Sequence, residues 1–120
     1  MEPKKNCTNC KRLVDYRNQN KILFPDFYND RVLGIGPLSS ELLIVGLAPG
    51  LRGANRTGKI FYGDFSGNLL FKFLNKYNIT ESYFEFEKTS NINCRITNAV
   101  KCLPPNNKPN LFEIKKCNVF

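Results

Sequence analysis

The sequence predicts an α/β domain, and two stretches carry that prediction. Residues 42–67 pass from a short apolar run, Leu42 to Val45, into a loop holding Gly46, Gly50, Gly53, Gly58, Gly63 and Gly67. An apolar pattern at helical spacing follows, Leu69, Leu70, Phe73, Leu74 and Tyr77. Residues 92–102 alternate instead, with Ile92, Cys94, Ile96, Asn98, Val100 and Cys102 on one face of a strand. A strand that runs into a glycine-rich loop and then a helix is where α/β sheets hold ligands.

Each element has its own justification. The run Leu42 to Val45 suits a strand buried on both faces. The glycines after it let the backbone approach a ligand and aim N–H groups at it. So long a loop inside one domain points to function. Ser66 is placed to cap the helix behind it. Phe84 and Phe86 alternate with Glu85 and Glu87 as in a short strand. Asn98 is a polar amide on an apolar strand face, so it is either satisfied in the core or presented to a ligand. Leu-Pro-Pro-Asn-Asn-Lys-Pro, 103–109, is a stiff loop, and Leu111, Ile114 and Cys117 suit a helix start after it.

The N-terminal third is less regular. Pro25, Gly34, Gly36 and Pro37 punctuate residues 13–41. A short helix is expected around Asp15 to Asn20 and an irregular arm over Asp26 to Arg31. Phe24, Phe27 and Tyr28 are expected to pack on the core. The chain divides into an arm, 1–41, and an α/β core, 42–120, of a single domain.

Composition narrows the function classes. With 120 residues there is room for one domain, which buries roughly two thirds of its unfolded surface. Lys and Arg number 18 against 10 Asp and Glu, a net charge of +8 that favours a polyanionic partner such as nucleic acid. No secretory signal or membrane-length apolar run is visible, so a cytoplasmic location is expected. Disulfides are rare there, and the five cysteines need another role. Cys7 and Cys10 form a Cys-x-x-Cys pair with no strand before it, which favours ligation over redox exchange. Together with Cys102 and Cys117 they give one close pair and one wide pair. That spacing suits an iron–sulfur cluster better than zinc, the alternative. Cys94, on the apolar strand face, reads as a core thiol.

One motif is set aside. Gly53-Ala-Asn-Arg-Thr-Gly58-Lys59 resembles a phosphate-binding P-loop, but Ile60 stands where a magnesium-binding Ser or Thr is needed. It also lies too far from the Leu42 to Val45 strand, so nucleotide hydrolysis is rejected.

Taken together these residues resemble the uracil-DNA glycosylase superfamily, most of all its iron–sulfur branch, family five and then family four. Gly46-Leu-Ala-Pro-Gly50, continued by Gly53-Ala-Asn-Arg-Thr-Gly58-Lys-Ile-Phe61-Tyr-Gly63-Asp64, is similar to the family's first motif. Thr97-Asn98-Ala-Val-Lys-Cys102-Leu-Pro-Pro-Asn-Asn-Lys-Pro109, ending in Cys117, is similar to the second conserved stretch. The resemblance implies a three-layer α/β/α fold with a mostly parallel sheet. It implies a structural 4Fe-4S cluster on Cys7, Cys10, Cys102 and Cys117, tying the N-terminal arm to the loop beyond Asn98. It implies hydrolysis of the N-glycosidic bond of uracil, with other deaminated bases as further targets, in DNA whose base is flipped out.

The same resemblance assigns roles. Asp64 is the catalytic carboxylate, stabilising the sugar cation or positioning water. Phe61 stacks on the uracil ring and Asn98 reads its polar edge. Gly46, Leu47, Ala48, Pro49 and Gly50 form the loop whose backbone N–H groups, Pro49 excepted, hold the departing base, and Asn55 joins the substrate-binding set. Family members also carry a later His-Pro-Ser motif, whereas this sequence contains no histidine. The expectation is therefore the N-terminal half or so of a glycosylase. Three forms of that expectation differ in activity: a weakened enzyme, a non-catalytic iron–sulfur DNA-binding module, or one half of a two-chain enzyme whose partner supplies the missing segment.

Overall fold

The computed structural model describes residues 2–80 and 93–120. The strand expected at 84–87 and the position of Ile92 lie outside the described residues. Helix α1 spans Lys11–Leu23, strand β1 Leu42–Gly46, helix α2 Ala54–Thr57, helix α3 Phe65–Lys76, strand β2 Cys94–Asn98 and helix α4 Leu111–Cys117. A single 3-10 turn, Pro105–Asn107, precedes α4. Among the described residues no helix is long and apolar enough to cross a membrane.

β1 and β2 pair in parallel, from Leu42 opposite Cys94 to Gly46 opposite Asn98. A parallel pair needs a crossover, and α3 lies on it. Ile35 bridges the other edge of β2 in antiparallel sense. β2 is thus flanked on both edges, and its inward positions Cys94, Ile96 and Asn98 are buried. It ends at Asn98, four residues earlier than the alternation suggests. Val100 and Cys102 follow in the turn, where Val100 joins a second apolar cluster.

β1 departs from expectation. Leu43 and Val45 are each more than half exposed, so the strand is covered on one face only. Ile44 packs inward with Val32, Ile60, Leu74, Cys94 and Ile96. The described residues therefore establish the α/β class and the parallel pairing, with α3 covering one face of the sheet.

α3 forms where the apolar pattern predicts, but its cap is Asp64. That carboxylate accepts from Gly67 N at 3.0 Å, while Ser66 sits inside the first turn. Leu70 and Leu74 meet the core, whereas Leu69, Phe73 and Tyr77 stand out from it. The apolar stripe is wider than the surface it covers.

α1 is longer than the sequence suggests. Its inward residues Leu13, Arg17 and Asn20 keep helical spacing, yet two of the three are polar. Burial of Arg17 is offset by Asp30, 3.5 Å away, and by the Cys7 carbonyl, which accepts at 3.0 Å. The helix stops before Pro25, whose ring disfavours the helical conformation at Phe24. Phe24 and Phe27 then stack on each other with centroids 4.8 Å apart. Tyr28 is exposed and flanks Gly58, so these aromatics build the arm rather than the core.

Arm and core are stitched by ion pairs. The Arg12 Nε donates to Glu113 Oε1 at 2.7 Å, and Arg95 donates to Glu2 Oε1 at 2.7 Å. Glu113 also closes the capping box of α4, accepting from Asn110 N while Asn110 Oδ1 accepts from Glu113 N.

Candidate functional site

Both parallel strands end together, at Gly46 and Asn98, and an open pocket lies beyond them. It is walled by the backbone of Gly46 to Gly50, by Phe61, Asp64 and Asn98, and by Ala54, Ser66 and Asn107. The loop between β1 and α3 is not structureless. Helix α2 folds it back on itself, and Gly58, at φ 75°, ends that helix in a left-handed cap. The P-loop-like segment is therefore itself one helical turn, from its N-cap Gly53 to its C-cap Gly58, unlike a phosphate loop that opens a longer helix.

Close approach explains Gly46. A Cβ there would run into Asn98 Oδ1 and stand 2.6 Å from Phe61 Cζ. The missing side chain lets the amide and the ring converge on the end of β1. Phe61 reaches this place with φ 50°, a left-handed backbone that an aromatic residue adopts at a cost of about 1–3 kcal/mol. Such a conformation persists only where its surroundings over-determine it.

Asp64 has two tasks. Oδ1 caps α3 through Gly67 N. Oδ2 faces the backbone of Gly50 and Gly53, where a Cβ on Gly53 would collide with it. The capping bond fixes the carboxylate against the pocket wall. Asn98 is 3% exposed and lines the pocket at the end of β2. Its carbonyl accepts from the buried Lys101 Nζ at 2.6 Å, which also donates to Thr97 Oγ1 at 3.0 Å.

Asn55 is not brought to the pocket. It is 3% exposed, and its Nδ2 donates to Asn29 Oδ1 at 2.9 Å, locking the arm to α2. Asn107 is a pocket residue that sequence reasoning missed. It enters through the 3-10 turn, where Asn106 and Asn107 both have φ 55°. The available signal was the Asn-Asn pair between prolines, since asparagine tolerates left-handed backbone.

A second cavity lies on the other side of the Asn98–Cys102 turn. Cys7, Cys10, Cys102 and Cys117 all line it, with Leu13, Arg17 and Lys101. None of the cysteines is in a disulfide. Among the described residues no three His, Cys, Asp or Glu side chains stand close enough to hold one metal ion. Burial pushes the Cys102 thiol up to about 12, with Arg17 acting in the opposite direction. Burial also raises Cys10 and Cys117, and the latter accepts from Lys101 N at 3.3 Å. Cys94 lies apart from this group, fully buried behind the sheet.

Parallel strands that release a glycine loop, an aromatic ring, a carboxylate and an amide around one pocket define an α/β ligand-binding domain. The family model of the uracil DNA glycosylase superfamily matches residues 33–120, and the chain belongs to that superfamily. It is 37% identical to a Type-5 uracil-DNA glycosylase of Pyrobaculum aerophilum, over 94% of this chain and 53% of that protein. The corresponding protein of Mycobacterium leprae is 36% identical over 93% of this chain and 53% of its own length. That of Thermus thermophilus is 34% identical over 92% and 54%. The chain spans about half the length of the curated relatives it matches.

Proposed function

We propose that this chain carries the base-binding and carboxylate half of a uracil-excising site in DNA. The observation that supports it is the convergence of Gly46 to Gly50, Phe61, Asp64 and Asn98 on one pocket at the strand ends. The reaction breaks the bond between the sugar C1′ and the base nitrogen. The electron pair leaves with the base, and a water oxygen takes its place on C1′. Phe61 stacks on the flipped base. The Asn98 amide, a donor and an acceptor at once, matches the imide edge of uracil. Backbone N–H groups of the Gly46 to Gly50 loop stabilise the anionic leaving base. Asp64 supplies negative charge near the oxocarbenium-like sugar and orients the attacking water. The net charge of +8 supports a DNA partner.

The thiol cavity fits a 4Fe-4S cluster held by Cys7, Cys10, Cys102 and Cys117. Its four candidate donors are all thiols, and all four line one cavity, a donor set that suits a cluster. The buried Arg17 Nε, with no hydrogen-bond partner, complements the negative charge of such a group. When bound, the cluster supplies a structural tie between the start of α1, the turn after β2 and the end of α4.

Excision is tested with a labelled oligonucleotide carrying one uracil and with protein that shows cluster absorption. Release of uracil, lost in Asp64→Ala, supports the proposal. Salt-sensitive DNA binding with no release at any protein concentration turns the reading to a non-catalytic DNA-binding module.

A second reading rests on the exposed sheet face. Leu43 and Val45 of β1 are both more than half exposed. Further polypeptide, in the same protein or in a second chain, would cover them and supply the histidine this sequence lacks. Co-expression with such a segment should raise excision and shift the elution volume. Unchanged activity and unchanged size would count against it.

A further inference from the structure

Arg17 is the one described arginine with a side-chain nitrogen both buried and unpartnered. It is 7% exposed and lines the thiol cavity. Its other two nitrogens are engaged. One faces Asp30 at 3.5 Å, and the other donates to the carbonyl of Cys7, itself a wall of the cavity, at 3.0 Å. A buried N–H without an acceptor costs free energy unless a ligand completes it. The two engaged nitrogens fix the guanidinium plane, and the third is left without an acceptor on a side chain that lines the cavity of the four thiols.

We infer that Arg17 is a positioning residue for the cluster: its Nε donates a hydrogen bond to a cluster or cysteinyl sulfur, while its second nitrogen clamps the Cys7 backbone. This rests on the cluster reading above. Four thiolates and their cluster concentrate negative charge in a cavity that burial otherwise disfavours. A cation tethered by Asp30 offsets that charge without leaving a free positive group when the site is empty. Hydrogen bonds to cluster sulfurs are among the factors that set cluster properties, and partners of metal ligands are commonly worth ~10–100-fold in metal retention.

Two measurements test it. In wild-type protein with isotopically labelled arginine, electron–nuclear double resonance of the dithionite-reduced cluster should show coupling to one arginine nitrogen. Absence of coupling overturns the inference whether or not any variant folds. Loss of visible absorption under a chelator should run ~10-fold or more faster in Arg17→Gln than in wild type. Arg17→Lys, which keeps the charge without the fork, should fall between them. Bleaching at the wild-type rate in folded Arg17→Gln also overturns it, and leaves the cluster itself standing. Wild-type protein that binds zinc, or no iron and sulfide, overturns the cluster reading instead, and this inference with it.

Discussion

The pocket and the thiol cavity share the Asn98–Cys102 turn but are built by opposite means. The pocket is shaped by side chains that are absent. Gly46 admits Asn98 and Phe61, and Gly53 admits Asp64. The cavity is shaped by groups held in place by charge: Arg17 by Asp30, and α1 against α4 through Arg12 and Glu113. Lys101 joins the two, with its ammonium on the Asn98 carbonyl and its backbone N–H on Cys117. The difference teaches where each region is fragile. An added methyl group damages the pocket, and a removed charge or thiol damages the cavity.

Cysteine substitutions give the largest contrast. Cys102→Ala should lose cluster absorption entirely and fail to give a cooperative unfolding transition, because the arm and the β2 turn lose their tie. Cys94→Ala should keep full absorption and lose only about 1–2 kcal/mol of stability, since it removes one buried atom behind the sheet. Iron content and urea titration read both. A Cys94 variant without iron would reverse the division between the two regions.

Asp64→Ala comes next, on the pocket side. Excision should fall ~10²–10⁴-fold, the span for a positioned acid–base group, while iron content stays at the wild-type level. Because Asp64 also caps α3, stability should drop by about 1 kcal/mol. Asp64→Asn keeps a capping oxygen, so it should restore the stability without the activity. Equal recovery of both would mean that Asp64 acts only as a cap.

Gly46→Ala is a sharper probe because it adds one carbon. The methyl group would displace Asn98 and Phe61. A shift near 1 Å at a reacting centre can cost ~10²-fold in rate. Excision should fall on that scale with the cluster spectrum unchanged. A fully active Gly46→Ala would place the base elsewhere than between those two side chains.

The same contrast governs what the sequence made legible. The pocket's wall is legible in two stretches, 46–64 and the end of β2 at Asn98, each at the end of an apolar run, and the parallel pairing of Gly46 with Asn98 brings them together. Asn107 was hidden because a left-handed turn, set by local asparagines, carries it back across the strand ends. Asn55 turns away from the pocket because its partner, Asn29, lies in the arm, 26 residues away, where local pattern does not reach. α1 runs longer than its pattern suggests because its buried face carries Arg17 and Asn20, and only the fold reveals the partners that make them tolerable inside. The strand β1 was over-buried because an apolar run reports what a strand can cover, and not which faces the described residues cover.

The smallest effect concerns the seam between arm and core. Hydrogen bonds from Arg12 hold the Glu113 carboxyl below the usual carboxylate value of 4.5, against the opposing influence of burial. A depressed carboxyl binds fewer protons folded than unfolded. Its contribution is therefore present above pH 4.5 and is lost as pH falls through the lower folded value. Glu113→Gln keeps an oxygen for Asn110 N but loses the charge that Arg12 bonds. At neutral pH it should be less stable by about 1.5–3 kcal/mol, the range for hydrogen bonds to charged groups. As the solution is acidified the wild type should lose that advantage, so the two urea midpoints converge below pH 4.5. Because both proteins carry the same thiol cavity, any acid sensitivity of the cluster appears in both and cancels in the difference. No gap at any pH would show that Glu113 serves the seam through shape and capping alone, and that charge is not what fastens α1 to α4.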